Sequence, residues 1–160
     1  MAGSLGIADS IDFAGYQPAE SCAREYASSL CLLVNPSSYE GFGLVVVEAF
    51  SAGLPVIAPK FGAMAFLIKD GFNGFLIDPE NRPFSEKVKA LWNSDSMRKL
   101  MGQNALVTYE ALFTQKQNLV RLLGCYKYAF MKAGKSIPPI LDSVNVASPE
   151  DDPYEGYAYK

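Results

Sequence analysis

Two glutamates, Glu40 and Glu48, stand eight positions apart, and the first is followed by Gly41-Phe42-Gly43-Leu44. Just upstream, residues 30–34 form a continuous apolar run of strand length that ends in the turn residues Asn35-Pro36-Ser37-Ser38. Downstream, residues 44–52 read as a helix closed by Gly53. A buried strand, a glycine-containing loop and a helix in that order aim free N–H groups and the positive end of the helix dipole into the crevice beyond the strand, a place suited to phosphate. Gly41 and Gly43 lack the Cβ that would hold a pyrophosphate away from the backbone. At ~1.5 Å rise per residue, Glu48 lies roughly 8 to 10 Å from the helix mouth beside Glu40. That is about the span between a sugar hydroxyl and a ribose hydroxyl on either side of a diphosphate. A carboxylate accepts two hydrogen bonds and donates none, so it suits a pair of neighbouring hydroxyls. One acid could therefore hold a sugar and the other a ribose, with helix amides on the diphosphate between them. The same residues also admit a plainer account, with Glu40 as a charge near a helix N-terminus worth ~0.3–1 kcal/mol and Glu48 as a solvated surface residue.

Composition narrows the chemistry further. The chain has 160 residues, 49% hydrophobic and 19% charged, with 14 basic and 17 acidic side chains and no histidine. Without histidine there is no Ser/His/Asp or Cys/His nucleophile system and no common zinc-ligand set. What is left is chemistry on carboxylates, backbone amides, helix dipoles and cationic side chains. A formal charge of −3 argues against a general nucleic-acid binder. Cys22, Cys31 and Cys125 are widely spaced and odd in number, and read as small core hydrophobes of a reducing compartment. No window resembles a membrane span or a secretory leader. The expected location is cytoplasmic, at most peripheral to the inner face of a membrane.

The elements that must position the two acids follow from apolar periodicity. A short strand is expected at 10–13, a helix from Pro18 to Ser28 with Ala19, Cys22, Ala23, Tyr26, Ala27 and Leu30 at helical spacing, and a strand buried on both faces at 30–34. The helix at 44–52 goes against the β-branched run Val45-Val46-Val47, on the strength of Glu48, Ala49, Ser51, Ala52 and the Gly53 cap. Strands at 55–58 and 74–77 flank a short helix at 63–69, and helices fill 83–92, 96–112 and 114–131, with Ser94 and Thr114 as N-caps. This alternation predicts an α/β fold, a parallel sheet with flanking helices and a helical C-terminal third. Residues 1–132 are expected to form one unit and 133–160 a packed-down or disordered extension. Residues 82–132 carry nine Lys/Arg against three acids, read as a solvated helix face or a weak attraction to anionic lipid or a lipid phosphate.

The stretch Pro36-Ser37-Ser38-Tyr39-Glu40-Gly41-Phe42-Gly43-Leu44-Val45-Val46-Val47-Glu48-Ala49 resembles the P-S-x-x-E-G-F-G-L-x-x-x-E-A signature of group-one, family-four retaining glycosyltransferases of the GT-B fold. Leu5-Gly6-Ile7-Ala8-Asp9 with residues 11–16, Gly53-Leu54-Pro55-Val56-Ile57-Ala58, and Asp70-Gly71-Phe72-Asn73-Gly74-Phe75-Leu76-Ile77 are similar to further segments of that family. The resemblance covers residues 5–127. It implies a Rossmann-like, partial GT-B C-terminal domain that binds a UDP- or GDP-linked sugar, without metal or cofactor, and transfers a hexose-type sugar with retention to a glycan or lipid-linked acceptor.

By position, the resemblance makes Glu40 the catalytic residue at the donor sugar. Backbone amides around Gly41, Phe42, Gly43 and Leu44 would hold the diphosphate, Glu48 the ribose, and Tyr16 would lie against the base. It also implies that the family's N-terminal acceptor half lies upstream or on a separate subunit, together with the cations that clamp the donor phosphates, since Arg24 is the first basic residue of this chain. The chain departs from the family's G-G-x-x-E helix at Ala63 and at Phe66, which stands where the family has a glutamate. That departure leaves open a second reading, a non-catalytic nucleotide-sugar-binding or assembly module. An unrelated small α/β domain is the third.

Overall fold

Burial of the central strand on both faces organises the computed structural model, which describes residues 2–34, 42–78, 80 and 84–144. Glu40, Gly41, the 35–38 turn and residues 145–160 lie outside the described residues. Strands β1 (Leu32–Leu33), β2 (Val56–Pro59) and β3 (Gly74–Ile77) form, among the described residues, one parallel sheet in that order. Val56 pairs with Leu32 on one side and Gly74 on the other. Side chains alternate along β2. Val56 and Ala58 enter one core with Val46, Ala49, Phe50 and Met64, while Ile57 enters a second with Phe75, Ile77, Leu91 and Met101. The helices are α1 (Ala19–Ser28), α2 (Leu44–Ser51), α3 (Gly62–Leu67), α4 (Phe84–Trp92), α5 (Asp95–Leu112) and α6 (Gln115–Lys132). This is the α/β arrangement expected, and no helix among the described residues is long and apolar enough to cross a membrane.

Helix α2 forms despite three successive valines. Val46, Ala49 and Phe50 fall at i, i+3 and i+4 and are all fully buried, so packing outweighs the β-branched preference. Its end is set chemically. Gly53 is left-handed at φ 66°, its N–H donates to Phe50 O at 3.0 Å, and Leu54 N–H donates to Ala49 O at 2.9 Å. This is the Schellman pairing, which turns the chain directly into β2. The predicted caps at Ser94 and Thr114 form as well, accepting from Met97 N–H and Gln117 N–H.

Two interactions fix α5. Its Gly102 lies against the turn at Gly53 so closely that a Cβ there would overlap Gly53 O. Farther along, the fully buried Asn73 accepts from Lys69 N–H at 2.9 Å and donates to Leu67 O and to Thr108 Oγ1. Thr108 Oγ1 in turn donates to Asn104 O, and Asn104 Nδ2 donates to Phe72 O at 3.0 Å. Beyond α6 the 3-10 turn Pro139–Leu141 folds back, with Leu141 buried and Lys127 Nζ donating to Asp142 O and Val144 O.

Three expectations are corrected. Residues 10–13 are not a strand: Ile11 is extended after the 3-10 turn Ala8–Ser10, and Phe13 is 84% exposed, because no described strand lies beside it to pair. Strand β1 is shorter than 30–34 and half-exposed at Leu33, since it has a sheet neighbour on one side only among the described residues. Of the cysteines expected in the core, Cys31 packs half-buried against the second core, whereas Cys22 is half-buried beside the α1–α2 cleft and Cys125 is exposed on α6.

Gly102→Ala should destabilise the protein by roughly 1–3 kcal/mol, the usual range for overpacking, although alanine is the better helix former. Urea unfolding measures it, and an unchanged midpoint would show that the α5 contact yields freely.

Candidate functional site

The mouth of α2 is built by Gly43. This residue is buried, sits in the left-handed region at φ 81°, and its carbonyl accepts from Val46 N–H at 2.9 Å and Val47 N–H at 3.4 Å. The next two N–H groups, of Leu44 and Val45, have no intrahelical acceptor by virtue of their position, and both residues are exposed. Gly43 is needed for a reason the sequence does not display. A Cβ there would point at Met64 and Leu67 of α3, so the missing side chain makes room for the core as well as freeing the backbone. The Phe42 ring packs edge-on against Phe113, with centroids 6.4 Å apart and an interplanar angle of 82°. That contact ties the loop entering α2 to the end of α5.

Glu48, five residues into α2, is exposed, and its Oε2 accepts a hydrogen bond at 3.0 Å from the Tyr26 hydroxyl on α1. The two side chains line a cleft of about 580 Å³ between α1 and α2, with Tyr16, Gln17, Cys22 and Ser51 among its other walls. Tyr16 and Glu48, both singled out from sequence, are thus brought to one cavity. Leu44 and Phe42 stand at the helix mouth, and Glu40 and Gly41 lie outside the described residues.

Tyr26, expected only to stand at helical spacing on α1, is the site residue that sequence reasoning missed. Its ring does pack against the main core, but its hydroxyl faces the cleft. Burial first, and then the Glu48 carboxylate, push its pKa from 10.0 up to about 12. Both causes disfavour the phenolate: burial strips its hydration and the neighbouring anion repels it. Burial also raises the thiol of Cys31. Among the described residues no group of three or more Cys, Asp or Glu side chains is placed to hold a metal ion. Phe66, at the position where a glutamate was the alternative, is half-buried against the core.

Comparison with known proteins places these features in context. Residues 1–107 match the family model described as glycosyl transferases group 1. The chain is 32% identical over 124 residues to a sucrose synthase of Melioribacter roseus, covering 71% of this chain and 16% of that relative. Its fold superposes on sucrose-phosphate synthase from Thermosynechococcus elongatus with a TM-score of 0.74 at 26% identity, covering 82% of this chain and 33% of the other. It also superposes on Anabaena Alr3699/HepE, solved in complex with UDP-glucose, with a TM-score of 0.63 at 24% identity, covering 68% and 30%. The chain therefore spans a third or less of the length of each of these three proteins.

Two outcomes test the local geometry. Because the Tyr26 pKa is raised on folding, its contribution to stability is complete below pH 10 and is lost as the pH rises from 10 to about 12. Titration of tyrosine absorbance should show one late phenol near pH 12 that is missing in Tyr26→Phe. Gly43→Ala should lose roughly 1–3 kcal/mol in denaturant unfolding through backbone strain at positive φ. Met64→Ala in the same chain would relieve the side-chain overlap and leave that strain in place.

Proposed function

The chain belongs to the group 1 glycosyl transferases, and on that premise we propose that it is the donor-binding part of a GT-B enzyme that transfers a hexose-type sugar, with retention, from a nucleoside diphosphate to a glycan or lipid-linked acceptor. In this reading the ribose hydroxyls meet Glu48, the base lies near Tyr16, the diphosphate faces the first N–H groups of α2, and Glu40 is the catalytic group at the sugar. The observation that carries it is the cleft that Tyr16 and Glu48 line together, along a helix whose first amides have no intrahelical acceptor. The complex of Alr3699/HepE with UDP-glucose supports a nucleotide-sugar donor on this fold.

The chemistry asked of the chain is modest. When the bond from the sugar C1 to the diphosphate oxygen breaks, negative charge grows on the leaving diphosphate. Preorganised amides and the dipole at the α2 N-terminus oppose that charge without a cation. Acceptor contacts are assigned to a second half, upstream or on a partner subunit, and the reaction to the cytoplasmic compartment where nucleotide sugars are spent.

One observation favours a second reading, in which the chain binds a nucleotide sugar without turning it over. Phe66 packs into the core and offers no polar atom where a glutamate would reach the donor. Turnover measured with an added acceptor half separates the two readings.

Calorimetry with UDP- and GDP-sugars, run in the presence of a chelator, is the direct test. Heat is expected with one base class, and Glu48→Ala should weaken binding about 10- to 100-fold through the loss of hydrogen bonds to a charged group. Absence of binding with every donor would overturn the donor assignment, and dependence on a divalent cation would overturn the metal-free one.

A further inference from the structure

The carboxylate of Glu48 is not left to solvent. A glutamate on an exposed helix position samples several rotamers, and fixing one of them on ligand binding costs up to about 2 kcal/mol of side-chain entropy. Here the Tyr26 hydroxyl reaches across from α1 and donates to Oε2. The ring behind it is held by packing against the core. Ser51, on the next turn of α2, is occupied elsewhere, its Oγ donating at 2.7 Å to the backbone oxygen of Glu48.

The type of donor matters. An ionised carboxylate offers about four acceptor sites, and one phenol occupies a single one of them. Lysine or arginine in that place would neutralise the anion and compete for both oxygens. A neutral phenol orients the carboxylate and leaves its charge and its Oε1 for a ligand. With its pKa near 12, Tyr26 remains a donor over the whole range in which proteins work.

We propose that Tyr26 is a positioning residue: it holds Glu48 in the orientation that accepts a vicinal pair of hydroxyls, and so makes the α1–α2 cleft select ribonucleoside over 2′-deoxyribonucleoside diphosphates. The selectivity has a simple origin. A preset carboxylate receives both hydroxyls of an intact ribose at once, and removing one leaves an acceptor facing the cleft without its partner. This inference rests on the assignment of Glu48 to the ribose and adds the residue that tunes it.

The test measures binding of UDP against 2′-deoxy-UDP, and GDP against 2′-deoxy-GDP, to the full chain and to Tyr26→Phe, Glu48→Gln and the double variant. The native chain should prefer the ribonucleotide about tenfold or more, Glu48→Gln should remove the preference, and Tyr26→Phe should reduce it about 3- to 10-fold. In the double variant the tyrosine change should add nothing, because the two act through one hydrogen bond. If Tyr26→Phe keeps the full preference while Glu48→Gln abolishes it, the positioning role is wrong and the ribose assignment stands. If Tyr26→Phe weakens both nucleotides equally, its role is structural and the proposal fails. If Glu48→Gln leaves the preference untouched, or if no nucleotide binds, the assignment of Glu48 fails and takes the inference with it.

Discussion

Everything near the cleft depends on the backbone approach between Gly53 and Gly102. The Schellman turn at Gly53 ends α2 and starts β2 within a few residues, so the position of the turn sets both the exit of the helix and the entry of the central strand. Helix α5 lies against that turn because neither glycine carries a side chain to hold it off. Buried behind the contact, Val46, Ala49 and Phe50 meet Ala105 and Leu112 in one core. With that inner face held, the outer face of α2 is left to carry Glu48 at a fixed distance from α1. The carboxylate is therefore positioned from behind by aliphatic packing and from in front by a phenol.

How much of this was legible in the sequence varies with the range of the physics involved. Strands β2 and β3 and the caps at Ser94 and Thr114 are visible because buried runs and helix-cap chemistry are local. The α2 helix is visible through Glu48, Ala49, Ser51, Ala52 and the Gly53 cap, since Val45-Val46-Val47 alone would favour a strand. The segment 10–13 misled for the opposite reason: strand character becomes a strand only when a neighbour pairs with it, and pairing is not local. Helical spacing on α1 showed that Ala19, Cys22 and Tyr26 share a face, but not whether that face meets a core or a cavity.

Among the site residues, Glu48 and Tyr16 could be singled out from sequence, but their common cleft could not. The partner of Glu48 lies 22 residues away in the chain, and an aromatic at helical spacing gives no sign that its hydroxyl is used. Gly43 was legible as a glycine that frees a backbone, and only the fold shows Met64 and Leu67 in the space its side chain would occupy.

The buried amide of Asn73 has a consequence for how the molecule opens. Its hydrogen bonds reach Leu67, Lys69 and Thr108, and Asn104 closes the ring through Phe72. The segment between α3 and β3 thus shares its polar partners with α5, and lifting it off while that helix stays seated would break the hydrogen bonds of the buried Asn73. An αβ connection of this kind would ordinarily fray by itself on the time scale of amide exchange. Here its polar partners lie on α5, so the β3 side of the sheet is expected to open together with that helix rather than ahead of it.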